Sequence, residues 1–118
     1  MIWSKLQDIF LRGKVFVIGL TFVDKDGQLI EQYQTHGTVI ELTNNGLLRI
    51  ERQDNSIFQV PYHKKTIVKA RKGEYRERTT GEIITNPDFL MTWEITVEKN
   101  ENLEIMKNNG FLTGNETI

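Results

Sequence analysis

The fold turns on the stretch QLIEQYQTHGTVIEL, residues Gln28 to Leu42. It reads as the strand that follows the Asp24–Gly27 turn. A flat strand of this length would run on the order of 50 Å, too long for a domain of 118 residues. The apolar phase also changes along it. Leu29 and Tyr33 fall on odd positions before Gly37, and Ile40 and Leu42 fall on even positions after it. Gly37 therefore reads as a bend or bulge that lets one strand serve two sheets.

Working outward, Val15 to Val23 is apolar on both faces, as in a strand covered on two sides, and Asp24-Lys25-Asp26-Gly27 supplies a turn before the long strand. Asn44-Asn45-Gly46 is a hairpin signal that suits a primed turn with positive φ, and Leu47 to Arg52 and Ser56 to Val60 follow as short strands, the second ending at Pro61. Thr66 to Ala70 is a short strand, and Glu74 to Thr85 reads as a hairpin around Thr80-Gly81. Phe89, Met91, Trp93, Ile95 and Val97 alternate with polar or smaller neighbours in the cleanest period-two pattern of the chain. At the start, Ile2, Trp3, Leu6, Ile9 and Phe10 share one helical face with Gly13 placed as terminator. A helix over residues 2–11 is too short to stand alone, so its stripe is expected to dock, capping an open end and hiding Trp3 and Phe10.

Together these elements predict a mainly β domain over residues 1–97, a small barrel of SH3-like or Sm-like kind, with an N-terminal helix and a C-terminal extension, 98–118, that is either an appended element or a loose tail. An OB-type barrel is the alternative, although its helix between the middle strands has no counterpart here.

The chain has no cysteine and two histidines, with 15 Lys and Arg against 16 Asp and Glu. Disulfide scaffolds, thiolate catalysis and cysteine-ligated metal centres are excluded. No secretory signal is read at the start, and Val15 to Val23 is about half a bilayer span, so a cytoplasmic protein with no membrane partner is expected. Asn115-Glu116-Thr117 fits a glycosylation pattern that such a location would leave unused.

Several short motifs resemble those of a family of small uncharacterised bacterial proteins: Gly19-Leu20-Thr21-Phe22 with Asp24 and Gly27, His36-Gly37-Thr38, Gly73-Glu74-Tyr75-Arg76, Thr80-Gly81-Glu82, and Asn86-Pro87-Asp88-Phe89 before Trp93. The similarity covers residues 14–97, and the extension after Val97 departs from it. The family has no established activity, so the resemblance implies no catalytic residue.

Candidate chemistry is sparse. Asp24-Lys25-Asp26-Gly27 has alternate carboxylates and a glycine, but the spacing misses a calcium loop and a plain turn is favoured. Ser4 and Ser56 lack nucleophile-elbow glycines, and no phosphate-binding glycine loop exists. His36 and His63 would need carboxylates such as Glu41 or Asp88 that no spacing brings to them. A pocket joining both histidines to acidic side chains would overturn this reading. No catalytic residue, metal site or cofactor is expected.

The one compositional asymmetry lies in residues 62–78, where seven basic and two acidic side chains give +5 and leave −6 for the rest of the chain. Cations interleaved with rings there form the candidate ligand surface: Tyr62, His63, Lys64 and Lys65, then Arg71, Tyr75, Arg76 and Arg78. The expected function is a non-enzymatic binding domain whose partner is another protein or a second copy. The alternative is a nucleic-acid-binding barrel that uses the basic segment.

Overall fold

The computed structural model describes residues 2–98 and 100–112. Helix α1 (Ile2–Leu11) precedes strands β1 (Val15–Val23), β2 (Leu29–Leu42), β3 (Leu47–Glu51) and β4 (Ile57–Pro61). A 3-10 turn at Lys64–Thr66 leads to β5 (Ile67–Lys69), β6 (Glu74–Arg76), β7 (Ile83–Thr85), β8 (Phe89–Thr96) and helix α2 (Asn100–Asn109). The chain is mainly β, as its periodicities require.

One turn geometry joins the first four strands. In Asp24–Gln28, Thr43–Leu47 and Arg52–Ser56, the fourth residue donates its N–H to the first carbonyl at 2.9–3.0 Å, and the first N–H donates to the fifth carbonyl. The fourth residue, Gly27, Gly46 or Asn55, then takes a left-handed φ of 82°, 81° or 69°. This is a type I turn closed by a bulge, compatible with the twist of a hairpin. The primed turn expected at Asn44-Asn45-Gly46 is not formed, because of these three only Gly46 has positive φ. At Asp24 the carboxylate accepts from the N–H groups of Asp26 and Gln28, both at 2.9 Å, which accounts for it as a turn residue.

The strands form a six-stranded sheet in the order β4-β3-β2-β1-β8-β5 and a separate two-stranded sheet, β6-β7. Strand β8 runs parallel to β1, while the other pairings in both sheets are antiparallel. Strands β4 and β5 are the two edges of the larger sheet, and no ladder among the described residues joins them.

Gly37 is not the bulge expected of it, and β2 serves one sheet and not two; what the glycine provides is room for close approach. A Cβ there would lie 2.5 Å from the carbonyl oxygen of Glu51 and 2.6 Å from Cγ2 of Ile50, so β3 crosses β2 only because the side chain is missing. The register with β3 then slips between Val39 and Glu41, which produces the change of apolar phase.

The core joins Phe16, Ile18, Leu20 and Phe22 of β1 to the buried side chains of β3, β4 and β8. It does not stop at residue 97: Leu103 and Met106 of α2, and Phe111 beyond it, belong to the same cluster. Gly110 ends α2 at φ 87° and bridges to Gln59 on the β4 edge, where a Cβ would overlap the Gln59 backbone. Phe111 N–H donates to the Gln59 carbonyl at 2.8 Å. Helix α2 and the Gly110-Phe111 segment of the extension are thus part of the domain's core and cover one sheet edge.

The expectation for α1 requires correction. Asp8 Oδ1 accepts from Leu42 N–H at 2.7 Å, Gly13 N–H donates to the Val39 carbonyl, and Leu11 is buried, so the helix is fixed against β2. That attachment turns Leu6, Ile9 and Phe10 outward, at 52%, 69% and 60% exposure. Phe10 is not hidden; its ring meets Phe89 edge-on at 6.5 Å and Lys14 Nζ lies 5.2 Å from its centre. The physical reason is that one carboxylate and the chain direction at Gly13 set the helix orientation, and the core is already filled by the sheet and α2. The Trp3 side chain and the Asn115-Glu116-Thr117 pattern lie outside the described residues.

Candidate functional site

The β3 ladder on β2 ends at the Thr38–Glu51 pair, so the preceding part of β2 has an edge that β3 does not cover. The loop between β6 and β7 lies against that edge. Gln34 N–H donates to Thr79 Oγ1 at 3.1 Å, and Gln34 Oε1 accepts from Arg78 N–H at 2.7 Å. The loop is closed on itself by Gly81 N–H to the Glu77 carbonyl at 2.7 Å, with Gly81 at φ 78°. This closure turns the Glu77 side chain inward, where it is 3% exposed.

There Glu77 meets His36, whose Nδ1 lies 2.7 Å from Glu77 Oε1, while the other carboxylate oxygen accepts from Thr80 Oγ1. The opposite ring nitrogen, His36 Nε2, faces Glu82 Oε2 at 3.7 Å. The His36 side chain is 10% exposed and that of Glu82 38%. A cavity of about 490 Å³ opens at this point, bounded by the loop, by His36 and Tyr33 of β2, and by Arg52 and Asp54 of the β3–β4 turn.

Arg52 builds the far wall. Its guanidinium donates to the carbonyls of Lys107 at 3.1 Å and Asn108 at 2.5 Å, the orphan acceptors at the end of α2, and to the hydroxyls of Tyr33 and Thr35. Nε donates to Ser56 Oγ at 2.9 Å, and the group stacks 5.0 Å from the Phe58 ring centre. Nε, Nη1 and Nη2 thus each donate to at least one group of the chain. Asp54 accepts from Ser56 N–H and Oγ, which hold its carboxyl below the ordinary value. The cavity's fixed charges are three carboxylates, Asp54, Glu77 and Glu82, against one guanidinium.

Part of the disqualifying arrangement considered from the sequence is thus present, since His36 meets two carboxylates. His63 does not join it. Its Nδ1 accepts from Lys65 N–H at 3.2 Å at the 3-10 turn, and its ring stands edge-on to Trp93 at 6.1 Å. A histidine oriented by a carboxylate is a general-base arrangement when a nucleophile's proton is within reach. Among the described residues no hydroxyl or thiol is hydrogen-bonded to His36 Nε2. Likewise, no three His, Cys, Asp or Glu side chains among them converge to hold a metal ion.

The basic residues singled out in the sequence fall into two groups. Tyr62, His63, Lys64 and Lys65 sit at the 3-10 turn; Tyr62 is half-buried with its N–H on the Gly46 carbonyl, and burial pushes its phenol up. Arg71, Tyr75, Arg76 and Arg78 belong to the hairpin, where the Tyr75 hydroxyl donates to the Arg71 carbonyl at 2.7 Å. The three arginines are exposed, and no hydrogen bond or ring contact among the described residues links the two groups. Arg78 borders a groove in the main sheet, about 220 Å³ over Gly19, Gln34 and Thr92.

His36, Glu77, Glu82 and Arg52 carry the cavity, and sequence reasoning did not assemble them. His36 and Glu77 are 41 positions apart, so the pairing follows from the docked loop and from no local spacing. Compared with protein-family models, with curated proteins and with solved structures, the chain matches none of them.

Proposed function

We propose that the chain is a non-enzymatic binding domain that docks another protein on the outer face of α1. The observation that carries this reading is the exposure of Leu6, Ile9 and Phe10 on one side of a helix whose attachment to β2 uses other residues. These side chains at i, i+3 and i+4 form one patch, on the order of 300 Å² of apolar surface. That is less than half of the roughly 800 Å² per partner of a standard stable interface, so it suits the centre of a contact completed by a polar rim.

The rim selects the partner. Lys5 is exposed, Lys14 lies over the Phe10 ring, and the one carboxylate on the helix, Asp8, is engaged by Leu42 N–H and by Arg12. A second copy would bring lysines against lysines, whereas a partner with an apolar segment flanked by acidic residues complements both features. The architecture we favour beneath this helix is a partly rolled SH3-like sheet. Its edges β4 and β5 are separated in sequence only by residues 62–66, which supports a rolled form even though the ladder is open.

The test is crosslinking of the full chain in cells, identification of the partner, and measurement with both purified proteins. Ile9→Glu and Phe10→Glu should each weaken binding at least tenfold while circular dichroism melts stay unchanged, and an acidic, apolar peptide from the partner should compete. Retention of full affinity by both variants would refute the reading. So would a mass of twice 13.8 kDa that Ile9→Glu halves, since that result assigns the face to a second copy.

A further inference from the structure

A hydrogen-bond mismatch marks the cavity on the β2 edge. A carboxylate only accepts, so the 2.7 Å contact to Glu77 is made by an N–H on His36 Nδ1, and whenever Nε2 carries no proton it presents a lone pair. Nε2 then looks across 3.7 Å at Glu82 Oε2, a second acceptor. Among the described residues no donor is hydrogen-bonded to either atom. Arg52 donates to backbone carbonyls and hydroxyls, and the Thr80 hydroxyl is given to Glu77. A side chain nine-tenths buried thus aims a nitrogen with no hydrogen-bond partner among the described residues at a carboxylate in an open cavity that is negative overall.

We propose that this cavity binds a protonated nitrogen, a primary ammonium or a guanidinium, which donates at once to His36 Nε2 and to the Glu82 carboxylate. Both groups are cationic and carry several N–H donors, and charge-assisted bonds to a shielded carboxylate are the stronger kind. The volume, about 490 Å³, accommodates a side-chain-sized ligand. Such a nitrogen arrives either on a free amine or on a lysine or arginine side chain of a protein. The site is separate from the α1 face, so each stands or falls alone.

The test is a titration of the full chain at pH 8, read by the imidazole nitrogen signals of His36 and the backbone amides of residues 77–82. Methylammonium and guanidinium should give saturable shifts at both places with dissociation constants in the millimolar range. Tetramethylammonium, equally charged but without N–H donors, should give none. Glu82→Gln, at a partly exposed position that leaves Glu77 and His36 paired, should weaken methylammonium roughly tenfold or more. Spermidine and acetyl-lysine methylamide then separate the sources: tighter binding of the first assigns a free amine, and of the second a protein side chain.

Three results would overturn the proposal. The first is no saturable shift with any N–H cation, and the second is tetramethylammonium binding as well as methylammonium. The third is a doubly protonated His36 in the ligand-free protein at pH 8, because the second proton would then already fill the gap to Glu82.

Discussion

Gly37→Ala isolates the feature on which the architecture depends. The new Cβ would sit 2.5 Å from the Glu51 carbonyl oxygen and 2.6 Å from Ile50 Cγ2. A backbone oxygen cannot rotate away, so β3 must shift on β2, and overpacking of this kind costs typically 1–3 kcal/mol, occasionally more. Reduced freedom of the unfolded chain returns about 0.5–1 kcal/mol, which leaves a net loss of about 1 kcal/mol at mid-range and up to about 2.5 kcal/mol. For a domain of this size that lowers Tm by about 5 °C, and by up to about 10 °C at the upper end. Gly19→Ala is the matched control. It lies in β1, a Cβ there would meet only Thr92 Cγ2 at 3.8 Å, and neither glycine has positive φ. That variant should be neutral or gain about 2 °C. Calorimetry on both decides the matter. If Gly37→Ala melts within about 2 °C of the parent, or if the two variants lose equally, then close approach of β3 is not what the glycine provides.

Two further perturbations address the helices. Asp8 is held below its ordinary value of 3.8 by the Arg12 side chain and by Leu42 N–H. Its stabilisation of the folded state is therefore complete above that value and lost as pH falls through the lower folded one. Asp8→Asn should lower Tm by about 2 °C at pH 5–7, with the difference closing between about pH 4 and pH 2; a gap independent of pH would show that the carboxylate does not fix α1. Arg52→Lys removes the fork that reaches the Lys107 and Asn108 carbonyls. It should cost about 1–3 kcal/mol and speed amide exchange in α2 by roughly tenfold or more, with β1 unchanged; uniform acceleration across the chain would refute the local role.

The strands were legible where burial is one-sided and local. Phe89 to Val97 alternates because one face lies on the core, and the phase change around Gly37 is the written trace of the bulge after Val39. Helix α2 was harder to see. Among its described side chains the buried ones are Leu103 and Met106, Ile105 faces outward at 56% exposure, and the polar residues around them resemble a solvated tail. Gly110 followed by Phe111 was the available sign of a terminated, docked helix. The parallel pairing of β1 with β8 brings together residues more than seventy positions apart, and no turn residue encodes it. The amphipathic stripe of α1 was visible, but which face docks was set by Asp8 and Leu11, and Leu6, Ile9 and Phe10 of the stripe face outward. The basic segment was a correct count of charge, yet the 3-10 turn and the hairpin divide it. The cavity's His36 comes from β2 and its Glu77 and Glu82 from the β6–β7 loop, each ordinary in its own context.

The uncovered face of α1 is tested most directly by solvent paramagnetic relaxation on the isolated chain. With a soluble nitroxide, the methyl signals of Leu6 and Ile9 should broaden strongly and that of Leu11, buried at 3% exposure, should not. Equal protection of Leu6, Ile9 and Leu11 in a monomer would mean that the stripe is docked inward, which contradicts a face held ready for a partner.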